Sequence, residues 1–148
     1  MNKIVIRKKY DLVNSKENEL KIILDTNFFF IPFKFKVDIF EELSNLLNQR
    51  FKPILLSSTK EELQGLIEST SKFGKQAIFA FEFTKKCHFV QVEKDLNESY
   101  DDVIVRVSSE SKTPVATNDR ELRKRLRKNG VPVIFLRQKS YLDIEGSV

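Results

Sequence analysis

Asp25, Glu62, Asp101 and Asp119 are the residues of this chain whose types and positions could do chemistry. Asp25 stands in KIILDTNFFFIP, between Ile22-Ile23-Leu24 and Phe28-Phe29-Phe30, where an ionised carboxylate is costly to bury. Asp119 repeats the arrangement in ATND, after Pro114-Val115-Ala116. Glu62 lies in TKEELQGL and Asp101 in SYDDVIVRV, each where a helix is expected to begin. Singly, every one has a structural explanation. Asx residues end strands and open turns. Glu62 follows Thr59, Glu61 follows Ser58 and Asp102 follows Ser99 at the spacing of a capping box. Asp101 would favour the positive end of a helix. Together they say more, because carboxylates crowded into one place cannot all stay ionised without a cation. Oxygen-only ligands of high charge suit Mg²⁺ or Mn²⁺ rather than zinc. Such an ion polarises a phosphate and lowers the pKa of a bound water, and a pair supports both entering and leaving oxygens.

Rival chemistries lack their residues. The four glycines, Gly65, Gly74, Gly130 and Gly146, are too far apart for a phosphate-cradling loop. No G-x-S-x-G elbow is present. The single histidine, His88, opens a strand and reads as structural or exposed. The single cysteine, Cys87, excludes an intramolecular disulfide and a Cys-rich zinc site, and reads as a buried, inert thiol.

The elements that must position the acids follow from the apolar pattern. LKIIL, KPILLS, HFVQVE, TPVAT and VPVIFLR read as buried strands. VDIFEELSNLLNQ has Val37, Phe40, Leu43 and Leu47 at helical spacing, and STKEELQGLIESTSKF has Leu63, Leu66, Ile67 and Thr70. GKQAIFAFEFTKKC is expected to be helical. SYDDVIVRVSSES is read as a helix although its Val-Ile-Val run also allows a strand. DRELRKRLRKNG is a helix closed by Gly130 in a left-handed cap. Continuous apolar strands separated by helices predict an α/β fold, a central parallel sheet covered on both faces. Ligands of such sheets bind beyond the carboxyl ends of the strands, where the order reverses. Asp25 and Asp119 lie at such ends, and Glu62 and Asp101 open helices on the same rim.

The 148 residues fit one domain, read as an N-terminal strand at Ile4-Val5-Ile6 with a polar connector over 1–19, then the main body over 20–148. MNKIVIRKKY is too polar for a signal peptide, and no apolar run approaches the ~18 residues of a membrane span, so a cytoplasmic protein is expected. The net charge of +5 is mild, but RELRKRLRK packs six basic residues into nine. That density attracts a polyanion or makes a solvated helix face.

These residues resemble the PIN domain, a metal-dependent ribonuclease family. LDTNFF matches its strand-ending Asp-Thr-Asn at Asp25, Thr26 and Asn27, and Glu62-Leu63 its E-L pair. Asp101 to Ile104 matches D-x-x-[IV], and Thr117 with Asp119 matches T-x-D. The resemblance runs from about Leu20 to Leu136. VATNDRELRKRLRKNGVPVIFL is similar to the branch that processes small-subunit ribosomal RNA, and VDIFEEL to its archaeal members. The resemblance implies an Mg²⁺- or Mn²⁺-dependent endoribonuclease that leaves a 5′-phosphate and a 3′-hydroxyl. Asp25, Glu62, Asp101 and Asp119 would hold the metal, with Glu61 and Asp102 as alternates. Asn27 and Thr117 would orient the carboxylates. Arg120, Arg123, Lys124, Arg127 and Lys128 would hold the RNA backbone, without reading sequence. Expected partners are RNA, a ribosomal RNA precursor in particular, and a second copy or ribosome-assembly proteins. Phe28-Phe29-Phe30 and Phe33-Phe35 offer an apolar surface, although core packing is their commoner use. The alternatives are a toxin-type PIN nuclease that cuts tRNA or mRNA, and a PIN scaffold that binds without cleaving.

Overall fold

Strand and helix alternate from Leu20 onward in a computed structural model that describes residues 19–69 and 74–148. The expected strand at Ile4-Val5-Ile6 and Thr70 lie outside the described residues. The strands are β1 (Leu20–Leu24), β2 (Phe51–Leu56), β3 (His88–Val90), β4 (Val115–Ala116), β5 (Val133–Arg137) and β6 (Tyr141–Glu145). They form one sheet in the order β3-β2-β1-β4-β5-β6. β1 to β5 are parallel, with Ile23 registered against Ile54 on one side and Val115 on the other. The chain therefore winds outward from β1 to β3 and returns beside β1 at β4. The point of reversal is the gap between β1 and β4.

β6 adds to the expected parallel sheet an antiparallel edge strand, running against β5 with Phe135 opposite Asp143. YLDIE mixes polar residues into a short edge strand, so it carries none of the continuous apolar signal of the others. Its hairpin turn is also unmarked. Gln138 and Lys139 take left-handed φ values of 53° and 57°, where Asn or Gly is the usual signal.

The helices cover both faces. A 3-10 turn over Thr26–Phe30 runs into α1 (Ile31–Phe35), with Pro32 in its first turn. There follow α2 (Ile39–Leu47), α3 (Ser57–Glu68), α4 (Gly74–Thr84), α5 (Tyr100–Ser111) and α6 (Arg120–Lys128). The helical reading of DDVIVRV holds, because Val103, Ile104 and Val107 pack inward together. α2 starts later than its apolar spacing predicts. Asp38 caps it by accepting from the Glu41 amide at 3.1 Å, so the buried stripe is Ile39, Leu43 and Leu47, with Val37 ahead of the helix. Gly130 takes φ +74° just past α6, as expected of its cap.

Alternation along the strands splits the core in two. Ile22, Leu24, Leu55, Ala116 and Ile134 face Phe28, Phe29, Leu43, Leu63 and Ala77. Ile23, Ile54, Leu56, Val115 and Val133 face Val103, Val107, Leu122 and Leu126. Phe28 and Phe29 are fully buried, so that part of the aromatic run serves the core, at roughly 2 kcal/mol of apolar transfer per side chain. Phe33 is 43% exposed.

Candidate active site

The reversal point leaves a cavity of about 350 Å³ beyond the carboxyl ends of β1 and β4, lined by Asp25, Glu62, Asp101 and Asp119. Four chain segments bring them there. Asp25 follows β1 and caps the 3-10 turn, its Oδ1 accepting from the Thr26 amide at 2.8 Å. Its Oδ2 accepts from the Thr117 hydroxyl at 2.7 Å, which joins the ends of β1 and β4. Thr26 donates its hydroxyl to Glu62 Oε1 at 2.5 Å, which holds α3 to the same rim. Asp119 caps α6 through Oδ1, which accepts from the amides of Glu121 at 2.8 Å and Leu122 at 3.1 Å. Asn27 Oδ1 accepts from the Asn118 amide at 3.0 Å and also lies 3.3 Å from the Thr117 hydroxyl. Asn27 and Thr117 therefore sit on the loops that carry Asp25 and Asp119.

The alternates are engaged elsewhere. Asp102 completes a reciprocal capping box with Ser99 and forms an ion pair with Arg125 at 2.8 Å. Glu61 accepts from the Tyr100 hydroxyl at 3.3 Å. Neither lines the cavity. The capping boxes that would have explained Glu62 with Thr59 and Glu61 with Ser58 do not form, since α3 begins at Ser57 without a side-chain cap. The hydroxyls of Ser58 and Thr59 are buried without a hydrogen-bond partner among the described residues.

Charge crowding is written into the carboxyls. Asp25 is only 4% exposed, and burial pushes its carboxyl up to about 7. The Thr117 hydroxyl and the Thr26 amide oppose that rise, whereas Asp101 and Glu62 add to it. Burial also raises Glu62, against the Thr26 hydroxyl and with Asp101. Asp101 is raised by burial and then by Asp119, with Arg125 pulling the other way. Asp101 thus makes both Asp25 and Glu62 harder to ionise, and Asp119 does the same to Asp101.

The donor set fits a divalent cation in kind: carboxylate oxygens from four segments, two threonine hydroxyls bracing them, and no nitrogen or sulfur ligand. Among the described residues no three acidic, His or Cys side chains converge into a finished ligand group. Mutual repulsion favours such a spread. Glu62 and Asp101 are half-exposed at the cavity wall, so their side chains have room to turn inward.

Other functional candidates went unread in the sequence. Lys34 lines the cavity with Phe30 and Leu66, its ammonium 5.8 Å from the Phe30 ring centroid. It reaches the site only because IPFKF turns as a helix after the 3-10 turn, and a Phe-rich run gave no helical period to read. The basic helix is also more tied down than its composition implied. Arg125, Arg123 and Arg127 pair with Asp102, the Phe135 ring and the Val131 carbonyl at 2.8, 4.1 and 3.2 Å respectively. Lys124 lies 3.6 Å from Glu121. Arg120 and Lys128 are exposed. His88 is exposed at the start of β3, and burial raises the Cys87 thiol to about 12, which leaves it protonated and inert.

Known proteins are similar to this chain in sequence and fold. The sequence pattern of the PIN like domain matches residues 22–139. Ribonuclease VapC4 of Methanocaldococcus jannaschii is 36% identical over 130 residues, covering 86% of this chain and 98% of its own length. The rRNA-processing protein fcf1 of Schizosaccharomyces pombe is 32% identical over 116 residues, 76% of this chain and 57% of that protein. The mouse rRNA-processing protein FCF1 homolog is 29% identical over 123 residues, 81% of this chain. This chain thus spans under three-fifths of the length of both of these relatives, 59% of the mouse protein being the larger share. Among solved structures, the PIN domain endonuclease Utp24 superposes with a TM-score of 0.73 at 27% identity, covering 86% of this chain and 92% of that one. On its fold, its carboxylate rim and these similarities, the chain belongs to the PIN-like domain family.

Proposed function

We propose that the protein is a metal-dependent endoribonuclease that hydrolyses phosphodiester bonds at the cavity between β1 and β4. The observation that carries the reading is the cavity itself, where four carboxylates from four segments share one wall and three of them are pushed toward the protonated form. Membership of a family with nuclease relatives supports it. Asp25, Glu62, Asp101 and Asp119 would hold Mg²⁺ or Mn²⁺. A bound ion would polarise the scissile phosphate and acidify an attacking water. The chain's own contribution is positional. Thr117 and the Thr26 amide keep both oxygens of Asp25 aimed and favour its ionised form. Thr26 does the same for Glu62.

Within that chemistry we favour an rRNA-processing role, on the FCF1 similarity and the ATNDRELRKRLRK stretch. The second reading is a toxin-type nuclease, favoured by the higher identity to Ribonuclease VapC4 over nearly all of that protein. Single-stranded RNA incubated with Mn²⁺ tests the shared core. The parent protein should cut it, and Asp25→Asn should lower the rate at least a hundredfold with melting behaviour retained. A variant as active as the parent would remove Asp25 from the site. Competing a small-subunit rRNA precursor fragment against tRNA then separates the two roles.

A further inference from the structure

A second groove of about 470 Å³ adjoins the carboxylate cavity and shares Asp119 with it. Thr117, which braces Asp25, lies on its wall too. The remainder of the wall comes from the start of α6 and the end of β5, with Arg120, Arg123 and Arg137 against a single acid. Phe135 is the centre of this wall. Its ring is 9% exposed, with the Arg123 guanidinium 4.1 Å from its centroid and that of Arg137 at 5.1 Å. Each guanidinium also pairs with an acid, Arg137 closely with Asp143 at 2.6 Å and Arg123 more loosely with Glu145 at 3.8 Å. Two planar forks fixed this way lose little side-chain freedom on meeting a phosphate or a flat base.

The adjoining turn is closed by the Ser140 amide, which donates to the Arg137 carbonyl at 3.1 Å. Gln138 and Lys139 hold left-handed backbone conformations that cost ordinary residues about 1 kcal/mol or more each and that glycine would adopt freely. Gln138 also borders the groove.

We propose that this groove is a subsite for the RNA strand next to the scissile bond, holding its phosphates with Arg120 and Arg137 and a base or sugar against the Arg123–Phe135–Arg137 stack. It rests on the nuclease reading for the position of the scissile bond. It also relocates the RNA path: the strand runs over β5 and the β5–β6 turn, not along the outer row of α6 at Lys124 and Lys128.

Affinity for a fluorescent single-stranded RNA, titrated in EDTA at three salt concentrations, tests this without cleavage. Arg120→Ala with Arg137→Ala should weaken binding on the order of a hundredfold, about tenfold for each of two charge-assisted contacts. The slope of log K on log salt should flatten by about 1.4, at about 0.7 per phosphate contact on a single strand. Lys124→Ala with Lys128→Ala should change affinity by less than about twofold, and a larger loss there would overturn the proposal. Gln138→Glu guards against a folding defect, because it alters only an exposed turn. It should weaken binding several-fold more than Gln49→Glu, which adds the same charge at the opposite end of the sheet. Equal effects at the two positions would overturn the subsite even if the arginine variant failed to fold. Failure of the nuclease reading appears separately, as absence of cleavage by the parent protein with Mn²⁺.

Discussion

The Thr117 hydroxyl has no exposure and three neighbours that matter: it donates to Asp25 Oδ2, accepts from the Asp119 amide at 3.1 Å and lies beside Asn27 Oδ1. One oxygen thus ties the ends of β1 and β4 to each other. Replacing it by a methyl in Thr117→Val leaves a buried carboxylate and a backbone N–H short of partners, at a cost of about 1–3 kcal/mol. The chemical effect has a definite sign. The hydroxyl favours the ionised form of Asp25, so its loss moves that carboxyl further up. The acid limb of the pH–rate profile, measured with Mn²⁺, should move to higher pH in Thr117→Val and stay in place in Thr117→Ser. A Val variant with a lower rate but an unmoved limb would mean that Thr117 only packs.

At the scale of the element, α5 shows how neighbouring carboxylates acquire different work. Successive helical residues point about 100° apart. Asp101 therefore faces the cavity while Asp102 turns back to cap the helix and reach Arg125. Asp102→Ala should lower the melting temperature and leave Mn²⁺-dependent cleavage within a few-fold of the parent. Ser99→Ala, which breaks the same box, should cost about 1 kcal/mol. Asp101→Asn should do the reverse, abolishing cleavage with no loss of stability, because it removes a charge that its neighbours oppose. If Asp102→Ala were the inactive variant, the assignment of the pair would be inverted.

That contrast also marks what the sequence alone makes legible. The Ser99–Asp102 spacing announced a cap, and the downstream apolar spacing favoured Asp101 while leaving Asp102 as the alternate; the helix is what turns the two apart. Asp25 and Asp119 stood out as a repeated acid after a buried strand, although each also serves as a cap. The path from Thr26 to Phe35 was not legible, since a Phe-rich segment buried on several sides shows no period, and Lys34 went with it. The Arg137 side of the site was lost for another reason. It depends on β6, whose turn lacks the glycine that normally marks a hairpin. Composition also overstated α6. Charge density says nothing about which guanidiniums are already occupied by Asp102, Phe135 and Val131.

The whole molecule carries the site's electrostatics in its stability. Asp25 ionises near 3.8 in the unfolded chain and at about 7 in the folded one, and Glu62 and Asp101 are displaced in the same direction. Between those values the native state holds a proton that the unfolded chain has released, so folding stability falls as pH rises from about 4 to 7. For Asp25 alone the loss is at most on the order of 4 kcal/mol, at about 1.4 kcal/mol per pH unit. Glu98, Asp102 and Asp143 are displaced downward by their arginines and capping amides, so their contribution is lost only as pH falls below the ordinary carboxylate range. They do not mask the window. In EDTA the protein should therefore melt several degrees higher at pH 5 than at pH 7.5, and Asp25→Asn should close most of that gap. A divalent ion should act in the opposite sense, since its ligands must be deprotonated before they bind it. Mn²⁺ should raise the melting temperature more at pH 7.5 than at pH 5, and the rise should disappear in Asp119→Asn. An equal Mn²⁺ shift at both pH values, or one that survives Asp119→Asn, would locate the ion away from this rim and leave the buried aspartate without a metal to hold.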